Sequence, residues 1–254
     1  MIKLVKEGGA SAREYVDLLK KRSQEAGRQV ESAVAEILAN VRENGDRAVR
    51  EYAAKFDGGA PESLEIPREE LERLAAKADP AFVESLRRAA ENIRDFHARQ
   101  KQQSWLTTRE DGVIMGQRVR GLARVGLYVP GGTAAYPSSV LMNAIPAKIA
   151  GVGELVMATP VKNGKPNPDI MAAALTAGVD RVFQVGGAHG VAALAYGTES
   201  IPKVDKIVGP GNIYVATAKK QLYGTVDIDM IAGPSEILIL ADETANPRYL
   251  AADL

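Results

Sequence analysis

R-V-G-L-Y-V-P-G-G, Arg124 to Gly132, runs apolar residues together without alternation and stops them at a Pro-Gly-Gly turn. A run with no polar face for water predicts a strand covered on both sides, as in a parallel sheet. The pattern recurs along the chain. Leu155 to Thr159, Val182 to Val185, Lys206 to Val208 and Glu236 to Ala241 read as further strands, with Val226 to Met230 a short edge-like one. Apolar helical stretches open between them near Ser138, Asp169, Ala188 and Asn212, and Lys162 to Pro168 reads as a polar surface loop. Strands alternating with helices imply right-handed βαβ units and an α/β fold with a parallel sheet.

Upstream of about residue 105 the character changes to dense charge with apolar residues at helical spacing. Ser11 and Glu14 form a capping-box signature for a short helix to about Arg22. Val30, Val34, Ile37, Leu38 and Val41 make one apolar stripe that Gly45 ends, and Ala48, Val49, Tyr52 and Phe56 continue on a second helix closed by Gly58 and Gly59. Leu64 to Ile66 reads as a short strand. Pro67 opens a helix to about Lys77, and Pro80 opens a longer one. Val113 to Tyr128 reads as extended chain with a break at Gly121.

Composition narrows the function. The 254 residues carry 32 Lys plus Arg against 32 Asp plus Glu, a formal charge of zero that gives no general attraction to nucleic acid or an anionic membrane. There is no cysteine, which removes disulfides, thiolate nucleophiles and Cys-ligated zinc, and makes a cytoplasmic setting the expectation. With two histidines, His97 and His189, three imidazoles cannot meet on one zinc. No stretch approaches the ~20 apolar residues a membrane helix needs.

The chemistry is expected beyond the carboxyl ends of the strands, where ligands settle in open parallel sheets. Three strand ends run into glycine: Gly131 and Gly132, Gly186 and Gly187, and Gly209 and Gly211 about Pro210. These turns either let backbone approach a phosphate or serve tight turning and close packing. The dinucleotide fingerprint G-x-G-x-x-G is not properly placed anywhere. Beside the turns stand Tyr128, a core-edge tyrosine or a ring lying on a flat ligand; Asn212, a helix cap or a ligand contact; and His189, a satisfied structural histidine or a hydrogen-bonding group. Ser235, in G-P-S-E, lacks the context of a nucleophile elbow and is left a ligand-hydroxyl role. Asp227 and Asp229 alternate on one strand and read as edge solvation rather than a metal pair. Asn246 and Pro247 begin a capped helix that the sequence carries for only about two turns, so the chain reads as the front part of a longer protein.

Four segments in order, Arg124 to Gly132, V-G-G-A-H-G-V-A-A-L-A-Y-G-T (Val185 to Thr198), K-V-D-K-I-V-G-P-G-N (Lys203 to Asn212) and D-M-I-A-G-P-S-E (Asp229 to Glu236), closely resemble histidinol dehydrogenase. The resemblance implies two Rossmann-like lobes with parallel sheets, aldehyde-dehydrogenase-like in fold, preceded by a helical N-terminal arm. In this chain the arm would be 1–24, the first, incomplete lobe 25–127 with 235–254, and the second, NAD-binding lobe 128–234. It further implies a zinc-dependent homodimer that oxidises L-histidinol to L-histidine by two hydride transfers to NAD. Carried onto matching positions, Tyr128 and Asn212 contact NAD and Ser235 contacts the substrate. His189 stands where the family usually has a glutamine that touches NAD. The zinc ligands and the Glu-His acid/base pair fall beyond Leu254, so the chain alone is expected to have no turnover. A dehydrogenase of another small primary alcohol and a non-catalytic nucleotide-binding module are the alternatives.

Overall fold

The structure is a computed structural model that describes residues 10–131, 135–161, 164–232 and 237–254. Its centre is a six-stranded sheet: β4 (Arg124–Tyr128), β5 (Glu154–Ala158), β6 (Arg181–Phe183), β7 (Lys206–Val208), β8 (Asp227–Ile228) and β1 (Glu65–Ile66), in the order β1-β6-β5-β4-β7-β8. All neighbours are parallel except β1, which joins β6 antiparallel. The chain therefore steps outward from β4 through β5 to β6, then returns to the other side of β4 for β7 and β8. That reversal of direction lies between β4 and β7 and leaves a crevice at their carboxyl ends.

Helices cover both faces, which is why the strands could be apolar throughout. On one face α1 (Ala10–Phe56), α6 (Gly187–Tyr196) and α7 (Ile213–Leu222) bury Val34, Val41 and Val49 against Leu194, Ile207 and Val215. On the other, α2 (Arg68–Ala75), α3 (Pro80–Ala98), α4 (Pro137–Ile149) and α5 (Pro168–Ala177) bury Leu71, Leu86, Leu141 and Met171 against Leu127, Leu155 and Val182. The helix starts follow local chemistry. Asp79 caps α3 at Ala81 N, with Pro80 at its first position, and Asn167 and Asn212 cap α5 and α7 through their side-chain oxygens. α8 (Pro247–Asp253) is likewise capped by Asn246.

Two expectations change and one holds. The break near Arg22 is absent: α1 runs continuously from Ala10 to a kink at Gly45, because no proline or glycine interrupts Ala10 to Ala26. The kink is real. Gly45 has φ 50°, Asp46 N–H donates to Glu199 Oε2 at 2.8 Å, and a Cβ on Gly45 would overlap that carboxylate. Third, Ile237 to Leu240 form no strand; Leu238 and Leu240 are 85% and 89% exposed. A high strand propensity does not make a strand without a neighbouring edge to pair with.

Trp105 to Gln117 folds as an antiparallel hairpin, β2 (Trp105–Thr108) and β3 (Ile114–Gln117), exposed on both faces. No described helix is long and apolar enough to cross a membrane.

Candidate functional site

A cavity of about 1030 Å³ opens at the crevice between β4 and β7. That is the upper end of the range for small-molecule sites, roughly 300–1,000 Å³. Every parallel strand that ends there contributes: Tyr128, Pro130 and Gly131 after β4, Pro160 and Val161 after β5, Gly187 and His189 after β6, and Gly211 and Asn212 after β7. Helix α1 supplies the opposite wall through Ala33, Ile37 and Phe56, followed by Asp57. Tyr128, His189 and Asn212 thus meet on one cavity although they are up to 84 residues apart in sequence. Ser235 lies outside the described residues.

Tyr128 is buried, and its ring belongs to the core rather than lying open for stacking. Its hydroxyl accepts a hydrogen bond from Gly187 N–H at 3.0 Å. Burial pushes the phenol pKa up to about 12; the Gly187 N–H acts in the opposite direction, and the negative charge of Asp57 adds a further upward push. The group therefore stays protonated at neutral pH, with a hydroxyl hydrogen still to donate.

His189 is 1% exposed and is packed against the stacked rings of Tyr52 and Phe56, 5.8 Å and 6.2 Å away by ring centres. Its Nε2 stands 3.3 Å from Asp57 Oδ2, while its Nδ1 is buried without a partner. The same Asp57 oxygen accepts Gly186 N–H at 3.1 Å. One carboxylate thereby holds both the glycine turn and the imidazole. The expectation of a satisfied histidine is met at one ring nitrogen only.

The Gly209–Gly211 turn is clamped by an ion pair whose lysine is buried and whose carboxylate water partly reaches. Lys219, 1% exposed on α7, pairs with Asp229 and donates to Gly209 O at 2.9 Å. Asp229 in turn accepts Gly209 N–H at 2.8 Å. Asp229 is therefore not edge solvation, in contrast to Asp227, which meets Lys206 at the surface. Asn212 Oδ1 accepts from Tyr214 N–H at 3.0 Å and Val215 N–H at 3.1 Å, so the capping role is filled. Its amide N–H₂ is what remains for a ligand.

These bonds revise how the glycine turns work. The amides of Gly186, Gly187 and Gly209 go to Asp57, Tyr128 and Asp229, so they are not open donors awaiting a phosphate. The glycines instead permit close approach. A Cβ on Gly209, at φ +112°, would stand 2.2 Å from Tyr128 O; one on Gly186 would stand 2.5 Å from Pro160 Cβ. Sequence reading missed Asp57, Lys219 and the cavity-lining rings of Phe56, Tyr136 and Tyr214. Only Asp57 had a faint local signal, directly before the Gly58-Gly59 helix stop.

Comparison with known proteins agrees with this architecture. The family model for histidinol dehydrogenase matches residues 20–254. Histidinol dehydrogenase of Clostridium acetobutylicum is 52% identical over 255 residues, covering 100% of this chain and 59% of that protein. The Listeria innocua enzyme of the same name is 58% identical over 94% of this chain and 56% of its own length. Among solved structures, the crystal structure of histidinol dehydrogenase from Elizabethkingia anophelis superposes with a TM-score of 0.81 at 36% identity, covering 88% of this chain and 52% of that one. The chain spans under three-fifths of the length of the curated relatives it matches. With the matching model extending over all but the first 19 residues, the chain belongs to the histidinol dehydrogenase family.

Proposed function

We propose that this chain forms the NAD-binding part of an enzyme that oxidises L-histidinol to L-histidine, and that NAD occupies the cavity at the crevice between β4 and β7. The observation that carries the reading is the convergence of Tyr128, His189 and Asn212 on that one cavity, in a chain of this family. The cavity suits a pyridine dinucleotide in three respects. It has an orphaned buried acceptor or donor at His189 Nδ1. It has glycines at Gly131, Gly187 and Gly211 that leave stretches of its wall bare of side chains. Exposed rings of Phe56, Tyr136 and Tyr214 line it beside these polar groups, giving the mixed apolar and polar lining that ligand sites favour.

NAD, when bound, supplies the hydride acceptor. The chain's own residues bind and orient it. Tyr128 offers a neutral hydroxyl, Asn212 an amide N–H₂, and the rings exclude water along the apolar wall. Ser235 is proposed as a substrate contact.

Among the described residues no cluster of three or more His, Cys, Asp or Glu side chains is suited to a metal ion. The metal ligands and the general base are proposed for the remainder of the full-length enzyme, and the enzyme is proposed to be a homodimer. General-base catalysis contributes typically 10²- to 10⁴-fold and a zinc Lewis acid several kcal/mol; the 254-residue chain is expected to be inactive alone. The test is NADH formation from L-histidinol by the full-length protein and by this chain. Turnover with the former and none with the latter supports the reading. No turnover by the full-length enzyme with histidinol, or turnover with another primary alcohol only, overturns it.

A further inference from the structure

We propose that Asp57 is a positioning residue that fixes His189 as its Nε2–H tautomer, so that Nδ1 presents a hydrogen-bond acceptor to the ligand in the cavity. The proposal rests on the reading of that cavity as the NAD site and adds a residue and a polarity to it. A carboxylate has no proton to give, so the contact between Asp57 Oδ2 and His189 Nε2 at 3.3 Å requires the hydrogen to be on Nε2. In a neutral imidazole the other nitrogen is then a bare acceptor. Nδ1 is the one buried side-chain nitrogen or oxygen among the described residues with no partner, and such an atom in a native site calls for a ligand or a water.

That edge of the ring is buried against the Gly187 backbone, and the missing side chain at Gly187 is what leaves room beside Nδ1. A Cβ on Gly187 would stand 3.0 Å from Nδ1 and 3.1 Å from Cε1, and Gly187 has φ +56°, where a side chain is disfavoured in any case. Gly187 and His189 both line the cavity. Tyr52 and Phe56 pack against the ring, which leaves the Gly187 side as its polar outlet. The geometry therefore selects a hydrogen-bond donor on the ligand, such as a ribose hydroxyl or a carboxamide N–H. A glutamine, the residue the family resemblance leads one to expect here, presents either polarity; this histidine, tied to Asp57, presents one.

The direct test is the imidazole ¹⁵N spectrum of the labelled chain, with His97, which is hydrogen-bonded to Gln100 at the surface, as the internal reference and His189→Gln to assign the signals. The expected result is a protonated Nε2 and a bare Nδ1 for His189, with the Nδ1 resonance moving on saturation with NAD. Asp57→Ala should mix the tautomers and weaken NAD about tenfold, the scale of one lost buried hydrogen bond. Asp57→Asn, whose amide oxygen still accepts from Nε2–H, should restore the tautomer. In the His189→Gln background, where Asp57 still holds Gly186 N–H, Asp57→Ala should lower NAD affinity by clearly less than it does with His189 present. A protonated Nδ1 in the wild-type chain, or a tautomer that ignores Asp57→Ala, overturns the proposal. So does an Nδ1 resonance that stays fixed while NAD binds. Failure of NAD to bind overturns the cofactor reading of the cavity, and the tautomer in the free chain still decides the role of Asp57.

Discussion

Replacing Lys219 with Met removes a charge that solvent scarcely reaches and leaves its partner behind. Lys219 is 1% exposed and Asp229 29%. Asp229 keeps its bonds from Gly209 N–H and Met230 N–H but loses its counter-ion, and Gly209 O loses its donor. Removing one partner of a buried pair costs about 3–5 kcal/mol. Partial access of water to Asp229 puts this case at the lower end, about 3 kcal/mol. For a chain of this size 1 kcal/mol corresponds to roughly 2–4 °C in Tm, so Lys219→Met should melt about 6–12 °C lower. Urea titration followed by circular dichroism reads the same difference as a shift in midpoint at unchanged slope. The double variant Lys219→Met/Asp229→Leu, which takes out both charges together, should be more stable than either single variant. A Lys219→Met protein within about 0.5 kcal/mol of wild type would refute the reasoning, as would a double variant that loses the sum of the two single losses.

Further outcomes follow from the same geometry. Gly209→Ala puts a Cβ 2.2 Å from Tyr128 O at φ +112° and should cost about 3 kcal/mol or more through strain and displacement of β4 from β7, measured by denaturant titration. Burial holds the phenol of Tyr128 at a pKa of about 12, above the ordinary phenol value of about 10. Its stabilising share is therefore complete below about pH 10 and is lost as pH rises toward 12, so Tyr128→Phe should show a shallower alkaline loss of stability. Up to pH 11, one unit above the ordinary phenol pKa, the difference has an upper bound of roughly 1.4 kcal/mol at about 1.36 kcal/mol per unit, read from melts between pH 8 and 11. Asn212→Asp preserves the α7 cap and should keep Tm within about 2 °C. Its carboxylate has no N–H₂ to donate and repels a pyrophosphate, so NAD affinity measured by calorimetry should fall about tenfold or more. Asn212→Ala should lose both, with about 1 kcal/mol of stability gone.

The α/β architecture was legible because its signals are local. The unbroken apolar runs at β4, β5 and β6, Pro80 at the start of α3, Asn212 at the start of α7, and the glycines after β4, β6 and β7 are all readable within a few residues. The convergence of Tyr128, His189 and Asn212 followed from a rule about where parallel sheets bind ligands. Contacts made across the fold carried no such trace. Asp57 reaches His189 across 132 residues, and its place before the Gly58-Gly59 helix stop says nothing of that partner. Lys219 stands beside Lys220 in an ordinary amphipathic pattern, yet one is buried and the other pairs with Glu31 at the surface. Asp227 and Asp229 look alike in sequence and differ only in which lysine the folded chain brings to them. Ile237 to Leu240 show the converse error, where an apolar stretch reads as a strand although no described strand pairs with it.

NAD binding in the cavity between β4 and β7 is the claim on which the functional account turns. Calorimetric titration of NAD into the 254-residue chain, run beside the same chain carrying Gly187→Val to block the wall next to His189, tests it in one comparison. The account predicts saturable one-to-one binding to the wild-type chain and its loss, by at least about tenfold, in the blocked one. Equal binding by a folded Gly187→Val chain, or no binding by the wild type at millimolar NAD, would contradict it.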